Sequence, residues 1–268
     1  MSDIQGCLEK GHLGIYSGSM RCWAACLGDC SDKMSREHLV SASLFLEGNL
    51  KVQGFDWCKG ETVEVGIAGL TAKILCVKHN NDLSPIDTAG AQAFATFREI
   101  RRLANVREKQ KPGYRNVKRY RIDGIGLERW FLKTLINLCC DRGYPIGRGS
   151  QIVGRPSDDL VRIAYSLGSF RDKAGLYFVA RVGMKIESTD TVIFAPLVQK
   201  DVPRVEGGLF VFRGQSFLLF LEREGPPQPL QGLMLNGEDL GQAQLNFHNV
   251  RINFKEGKYL SQVLDIDW

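Results

Sequence analysis

The sequence predicts an α+β protein: a small metal-clamped module, then an α+β domain that ends in an antiparallel sheet. Three observations predict it. Short-range pairs of Cys and His lie in a loop-rich stretch before residue 90. Apolar residues recur at helical spacing in three segments between residues 84 and 168. From Leu176 onward, short runs of β-branched and aromatic residues are punctuated by Gly, Pro and Asn.

The composition is that of a globular protein and excludes disordered, collagen-like and coiled-coil classes: 44% hydrophobic and 24% charged over 268 residues. No apolar run approaches the ~20 residues of a membrane span. The first residues, MSDIQGCLEKGHLG, lack the basic start and apolar stretch of a secretory signal. A cytoplasmic protein without a membrane partner is therefore expected. In such a compartment eight cysteines read as metal ligands and core rather than as a disulfide framework. The net charge of +5 is unevenly spread: −3 over residues 1–90, +9 over 91–150 and −1 over 151–268. A basic middle third suits a polyanionic partner, nucleic acid first. A solvated helix face plus a basic linker is the plainer alternative.

In chain order, residues 1–20 read as a polar arm with a short strand at 13–16. Residues 20–90 form a small loop-rich module with a strand at 72–77. A helix then runs from 84 to about 105. Ser84 is placed to cap it, Pro85 suits its first position and Asp87 completes a capping box. Ala91, Phe94, Ala95, Phe97, Ile100 and Leu103 form its apolar stripe. Residues 106–125 hold a Pro-Gly break and dense positive charge, and read as a basic joint between a 1–105 module and a 126–268 α+β domain. A second helix, about 126–142, carries Leu127, Trp130, Phe131, Leu135, Leu138 and Cys139 on one stripe, with Gly143 as its C-cap. Trp130 and Phe131 read as core. A third helix follows Ser157 and stops at Gly168. Strands are expected at 175–183, 190–198, a hairpin over 209–221 turning at 213–215, and 243–254. His248 in the last run reads as structural, and His12 has no evident partner. The later domain could recognise a ligand or a partner protein.

Two blocks carry chemistry. The first is Cys22-x3-Cys26-x3-Cys30, followed by Ser35-Arg36-Glu37-His38-Leu39-Val40. The second is Cys76-Val77-Lys78-His79-Asn80-Asn81. A tetrahedral zinc site needs two ligand pairs, each spanning a tight turn. Cys76 and His79 make one pair. Two of Cys22, Cys26 and Cys30 make the other, with Cys26 and Cys30 preferred and Cys22 the alternative. Such a clamp can hold a module with little core of its own. Cys58 is a weaker candidate, and Cys7, Cys139 and Cys140 read as structural. Buried cysteines that never meet a metal are the competing reading.

The order cysteine pair, S-R-E-H-L-V, strand, L-C-x-x-H-N-N and helix resembles the HNH (ββα-metal) endonuclease superfamily, over about residues 20–105. It is most similar to the branch with C-x-x-C, E-H-x-x-P and C-x-x-C-N-N motifs. The resemblance implies a zinc-clamped ββα-metal module and a metal-dependent endonuclease acting on phosphodiesters, DNA before RNA, with phage defence as a possible setting. It implies His38 as general base, with Glu37 and Asn80 as ligands of a catalytic Mg²⁺ or Mn²⁺. Asn81 and Asp87 would be additional ligands, and Arg36 a phosphate contact. Arg98, Arg101, Arg102, Arg115, Lys118, Arg119 and Arg121 would grip the duplex backbone. The chain departs from the pattern at Ser41-Ala42, where Pro is frequent, at His79, where Cys is usual, and at Thr71, where the family has an Asn that orients the base. In their plainer readings Glu37-His38 is an exposed pair, Asn80-Asn81 a turn and Asp87 a helix cap. The contrasting functional class is a zinc-stabilised nucleic-acid-binding module, or an interaction protein, without turnover.

Overall fold

The computed structural model describes residues 22–45, 48–58, 60–110, 116–140, 143–180, 191–199, 203–212, 215–226, 234–235, 238–239, 244–256 and 259–268. The regular elements, in chain order, are β1 (Glu37–His38), β2 (Asn49–Gln53), β3 (Val63–Gly66), β4 (Thr71–Ala72), α1 (Val77–Asp82), α2 (Ser84–Glu108), β5 (Lys118–Asp123), α3 (Gly124–Cys139), α4 (Asp158–Ala164), β6 (Gly175–Ala180), β7 (Thr191–Val198), β8 (Val205–Phe212), β9 (Gln215–Phe220), β10 (Met234–Leu235), β11 (Glu238–Asp239), β12 (Gln244–Phe247), β13 (Arg251–Glu256) and β14 (Tyr259–Asp267). The mixed α+β class is as predicted, with its mainly antiparallel sheet built from the later strands.

The centre of the molecule is α3. Its predicted stripe is fully inside, but so is nearly every other face. A helix apolar on all sides must be covered on all sides. Here α2, α4, β14 and the sheet strands β6, β8 and β9 surround it. Asp123 caps its start by accepting from the Gly126 amide at 2.8 Å. The helix ends at Cys139, short of the predicted Gly143, which adopts φ +79° farther on. Two glycines let α2 and α3 approach. A Cβ on Gly90 would stand 2.5 Å from the Trp130 ring, and one on Gly126 would stand 2.6 Å from Ala89 Cβ. Phe94, Trp130, Phe131, Phe212 and Phe217 fill the space around this crossing edge-to-face.

The large sheet has the order β12-β6-β9-β8-β7-β2-β3, and β7–β2 is its one parallel pair among the described residues. The predicted hairpin is β8–β9, with Phe212 paired to Gln215. A second sheet, β13-β14-β5, joins β5 in parallel to β14. The large sheet crosses both divisions drawn at residues 105 and 125, and the second sheet crosses the one at 125. Strands β2 and β3 extend a sheet made by the later strands. The stretch read as a joint contains a strand. One hydrophobic cluster runs from Cys22 to Ile266.

Other expectations shift. The strand at 72–77 is only Thr71–Ala72, because Cys76 turns the chain to cap α1. Ser84 lies inside α2 rather than capping it, and Asp87 bonds elsewhere. The third helix stops at Ala164 rather than at Gly168. His248, at φ +40°, is stacked on Trp268 and bonded to Glu128, which is a structural setting. The 13–16 strand, Cys7 and His12 lie outside the described residues. Among the described residues no helix is long and apolar enough to cross a membrane.

Candidate metal centre and adjoining cleft

Short backbone bridges bring the two sequence blocks together. The Trp23 amide donates to the Ile74 carbonyl, Ser35 N to Leu75 O, and Val77 N to Lys33 O. Cys22 and Cys30 are thereby set against Cys76 and His79. The ligand atoms of these four residues all lie within 4.8 Å of one another. His79 Nδ1 is 3.4 Å from Cys22 Sγ, 3.5 Å from Cys30 Sγ and 3.3 Å from Cys76 Sγ.

These four residues could hold a metal ion such as zinc, and the geometry is a test of that. One ring nitrogen cannot serve three thiols as a hydrogen-bond partner, whereas one cation can serve all four atoms. A tetrahedral zinc, with Zn–S of ~2.3 Å and Zn–N of ~2.0 Å, separates sulfur from nitrogen by about 3.5 Å. The observed spacings match. The far ring nitrogen, Nε2, lies 2.8 Å from Asp29 Oδ1, so the ring donates there and its Nδ1 lone pair faces the sulfurs. Asp29 is in turn paired with Lys78, and that pairing with His79 holds its carboxyl below the usual range. Tyr165 closes the other side, donating to the His79 carbonyl at 2.8 Å.

The preferred ligand Cys26 is not in the group, and the alternative, Cys22, takes its place. Cys26 sits on the short 3₁₀ turn Ala25–Leu27, exposed and near Asp158. The thiols differ in kind. Burial pushes Cys22 up to about 12 and raises Cys30 as well. At Cys76 burial pushes upward too, but bonds from the His79 amide and Ser31 outweigh it, and the thiol falls to about 6. Cys139 is buried away from this group, as read, and Cys58, the weaker ligand candidate, is buried outside it as well.

Next to this centre lies a cleft of about 210 Å³ lined by Arg36, Glu37, His38, Ser41, Asn80, Asn81, Asp87 and Lys133, among others. The six cleft residues singled out from sequence thus converge on one concavity. Strand β1 carries Glu37 and His38 and pairs antiparallel with β4, His38 opposite Thr71. His38 is half-buried, and its Nδ1 is buried without a hydrogen-bond partner among the described residues. Asn80, on α1, donates its amide to Ser35 Oγ at 2.7 Å, which leaves Oδ1 without a partner among the described residues.

Glu37 is 4% exposed, not the exposed residue of the plain reading. Its Oε1 accepts from Lys133 Nζ at 2.7 Å and from Asn137 Nδ2 at 3.2 Å. Burial raises its carboxyl above the usual range, against the pull of Lys133. Its Oε2 has no partner among the described residues. Lys133 also donates to both oxygens of Asp87, and Ser41 Oγ donates to Asp87 Oδ1 at 2.6 Å. Lys133, Asn137 and Asp29 were not singled out from sequence, and Ser41 was noted only as a departure from the family pattern. For the first two a signal existed: polar side chains four apart inside an apolar helix.

The predicted basic grip is less uniform. Arg98 donates to the Leu44 carbonyl, Arg102 pairs with Glu99, Arg119 with Asp265 and Arg121 with Asp267. Lys118 is exposed on β5 above Tyr120, Arg101 is half-buried on α2, and Arg115 lies outside the described residues.

Compared with models of protein families, with characterised proteins and with solved structures, the chain gave no match.

Proposed function

We propose that the chain is a metal-dependent endonuclease that hydrolyses nucleic-acid phosphodiesters, double-stranded DNA first, and that zinc at Cys22, Cys30, Cys76 and His79 holds its active site together. The observation that carries this reading is the cleft itself. A half-buried His38 on a short antiparallel pair and Asn80 on the next helix share one concavity, directly beside the Cys/His group.

A neutral imidazole nitrogen can accept a proton, and the unpartnered Nδ1 makes His38 suited to take one from an attacking water. Thr71, opposite His38, replaces the amide that the resembling family uses to orient the base. Arg36 is exposed at the rim, where a guanidinium can bond phosphate oxygens in pairs. Glu37 Oε2 and Asn80 Oδ1, oxygens without a partner among the described residues, suit Mg²⁺ or Mn²⁺, which takes one or two protein oxygens and completes its shell from water and phosphate. Bound there, such an ion would supply charge stabilisation for the phosphate and the leaving oxygen.

Plasmid cleavage with added Mg²⁺ or Mn²⁺ tests the reading. His38→Ala should slow cleavage on the order of 10²–10⁴-fold, with zinc content and DNA binding unchanged. Cleavage by this variant at the wild-type rate removes His38 as the base. No cleavage by the wild type, with DNA binding retained, favours the non-catalytic nucleic-acid-binding module instead.

A further inference from the structure

Helix α3 lies outside the segment that resembles the HNH superfamily, yet it supplies much of the cleft's polar framework. Trp130, Lys133 and Asn137 recur at helical spacing along one side of it. Trp130 Nε1 donates to Ser41 Oγ at 2.9 Å, and Ser41 passes the bond on to Asp87. The Lys133 ammonium joins Glu37 to Asp87. Asn137 Nδ2 donates to both Glu37 Oε1 and the His38 carbonyl, each at 3.2 Å, while its own oxygen accepts from Trp23 Nε1.

Stability is a weak reason for this arrangement. Lys133 and Asn137 are each 2% exposed, on a helix whose buried side chains are mostly apolar. Replacing buried ion pairs by well-packed apolar side chains is often neutral or stabilising. The polar atoms instead converge on the two β1 residues that face the cleft. Both Lys133 and Asn137 bond the same oxygen of Glu37 and leave Oε2 without a partner among the described residues. Asn137 also holds the backbone of His38.

We propose that Lys133 and Asn137 are positioning residues of the active site: they clamp Glu37 Oε1 and the His38 carbonyl, and so fix where Glu37 Oε2 and the His38 ring stand in the cleft. The inference rests on the nuclease reading above. It adds that α3 completes a catalytic geometry that the Cys/His module does not build alone. Partners of this kind, one bond removed from a metal ligand, typically set affinity or activity by 10–100-fold.

The test uses the full chain with Asn137→Leu, Lys133→Met and Lys133→Arg, each checked for one equivalent of zinc and a cooperative melt. Asn137→Leu removes the clamp without altering charge. It should weaken Mn²⁺ binding, followed by electron paramagnetic resonance, by roughly tenfold or more. It should also lower kcat for plasmid cleavage while KM for DNA stays constant. Lys133→Met should lower kcat in the same way, and Lys133→Arg should recover part of the loss. A side chain with only a structural role would lower the melting temperature and leave kcat and Mn²⁺ affinity of the folded fraction untouched. That result in Asn137→Leu overturns the proposal even if Lys133→Met does not fold. A wild type that neither binds Mn²⁺ nor cleaves overturns the nuclease reading and this inference together, whereas an active wild type with indifferent variants overturns this inference alone.

Discussion

Cys22 and Cys26 are four residues apart and chemically identical, yet only Cys22 reaches His79. The Cys22 carbonyl starts the 3₁₀ turn, and the neighbouring Trp23 amide is tied to Ile74, two residues before Cys76. Cys26 rides the outer side of that turn. Cys22→Ser or Cys76→Ser should therefore lose the metal, while Cys26→Ser should keep one equivalent in elemental analysis. The pH dependence follows from the thiols. Without metal, Cys22 and Cys30 are raised and so protonated at pH 7, whereas Cys76, lowered to about 6, is already thiolate above that pH. Binding must then release about two protons near pH 7, and affinity must rise with pH by about two log units per pH unit. Competition with a chelator at pH 6.5, 7.0 and 7.5 measures this slope. A pH-independent affinity would exclude thiolate ligation by Cys22 and Cys30.

At the scale of elements, α2 and α3 were legible because each repeats its apolar residues every three to four positions over several turns, whereas the short α1 was not read. The 84–105 expectation and the observed Ser84–Glu108 differ by less than one turn. Strands β5 and β14 were not picked out. β5 reads Lys-Arg-Tyr-Arg-Ile-Asp, a charged stretch with only Ile122 inside, and its partner lies at the far end of the chain. Long-range pairing of that kind leaves no local periodicity. Asp87 shows the same limit: its position fits a capping box, but Lys133 and Ser41 compete for it once α3 is in place. The α2–α3 crossing carries a sharp expectation. Gly90→Ala would drive a methyl into the Trp130 ring, flanked by Phe94, Phe131 and Phe212, none of which can move far. Overpacking should cost about 1–3 kcal/mol, read as a lower midpoint in urea. A neutral result would mean that the two helices separate freely.

For the whole molecule, the charge bias of the middle third was plain in sequence, but its meaning depends on pairing. Arg119 and Arg121 already face Asp265 and Asp267, carboxylates supplied by β14. Neutralising both should change the salt slope of duplex binding by well under the roughly 0.9 per residue of true phosphate contacts. Arg36→Gln at the cleft rim should remove about that amount by itself. Binding titrations at several salt concentrations separate the two. Equal losses from both would restore the basic stretch as the grip.

By itself, the sequence determined the α+β class, the helices α2, α3 and α4 and the β8–β9 hairpin, because these depend on local periodicity, while six of the residues that gather at the cleft were read from the resemblance to the HNH superfamily. Only the tertiary structure decided which cysteine joins His79, because ligand choice depends on where a turn aims its side chains. It alone joined β2 and β3 to β7, made β5 a strand and brought Lys133 and Asn137 to Glu37. Each of these is a contact across dozens of residues, fixed by burial in one shared core rather than by the neighbours in the chain.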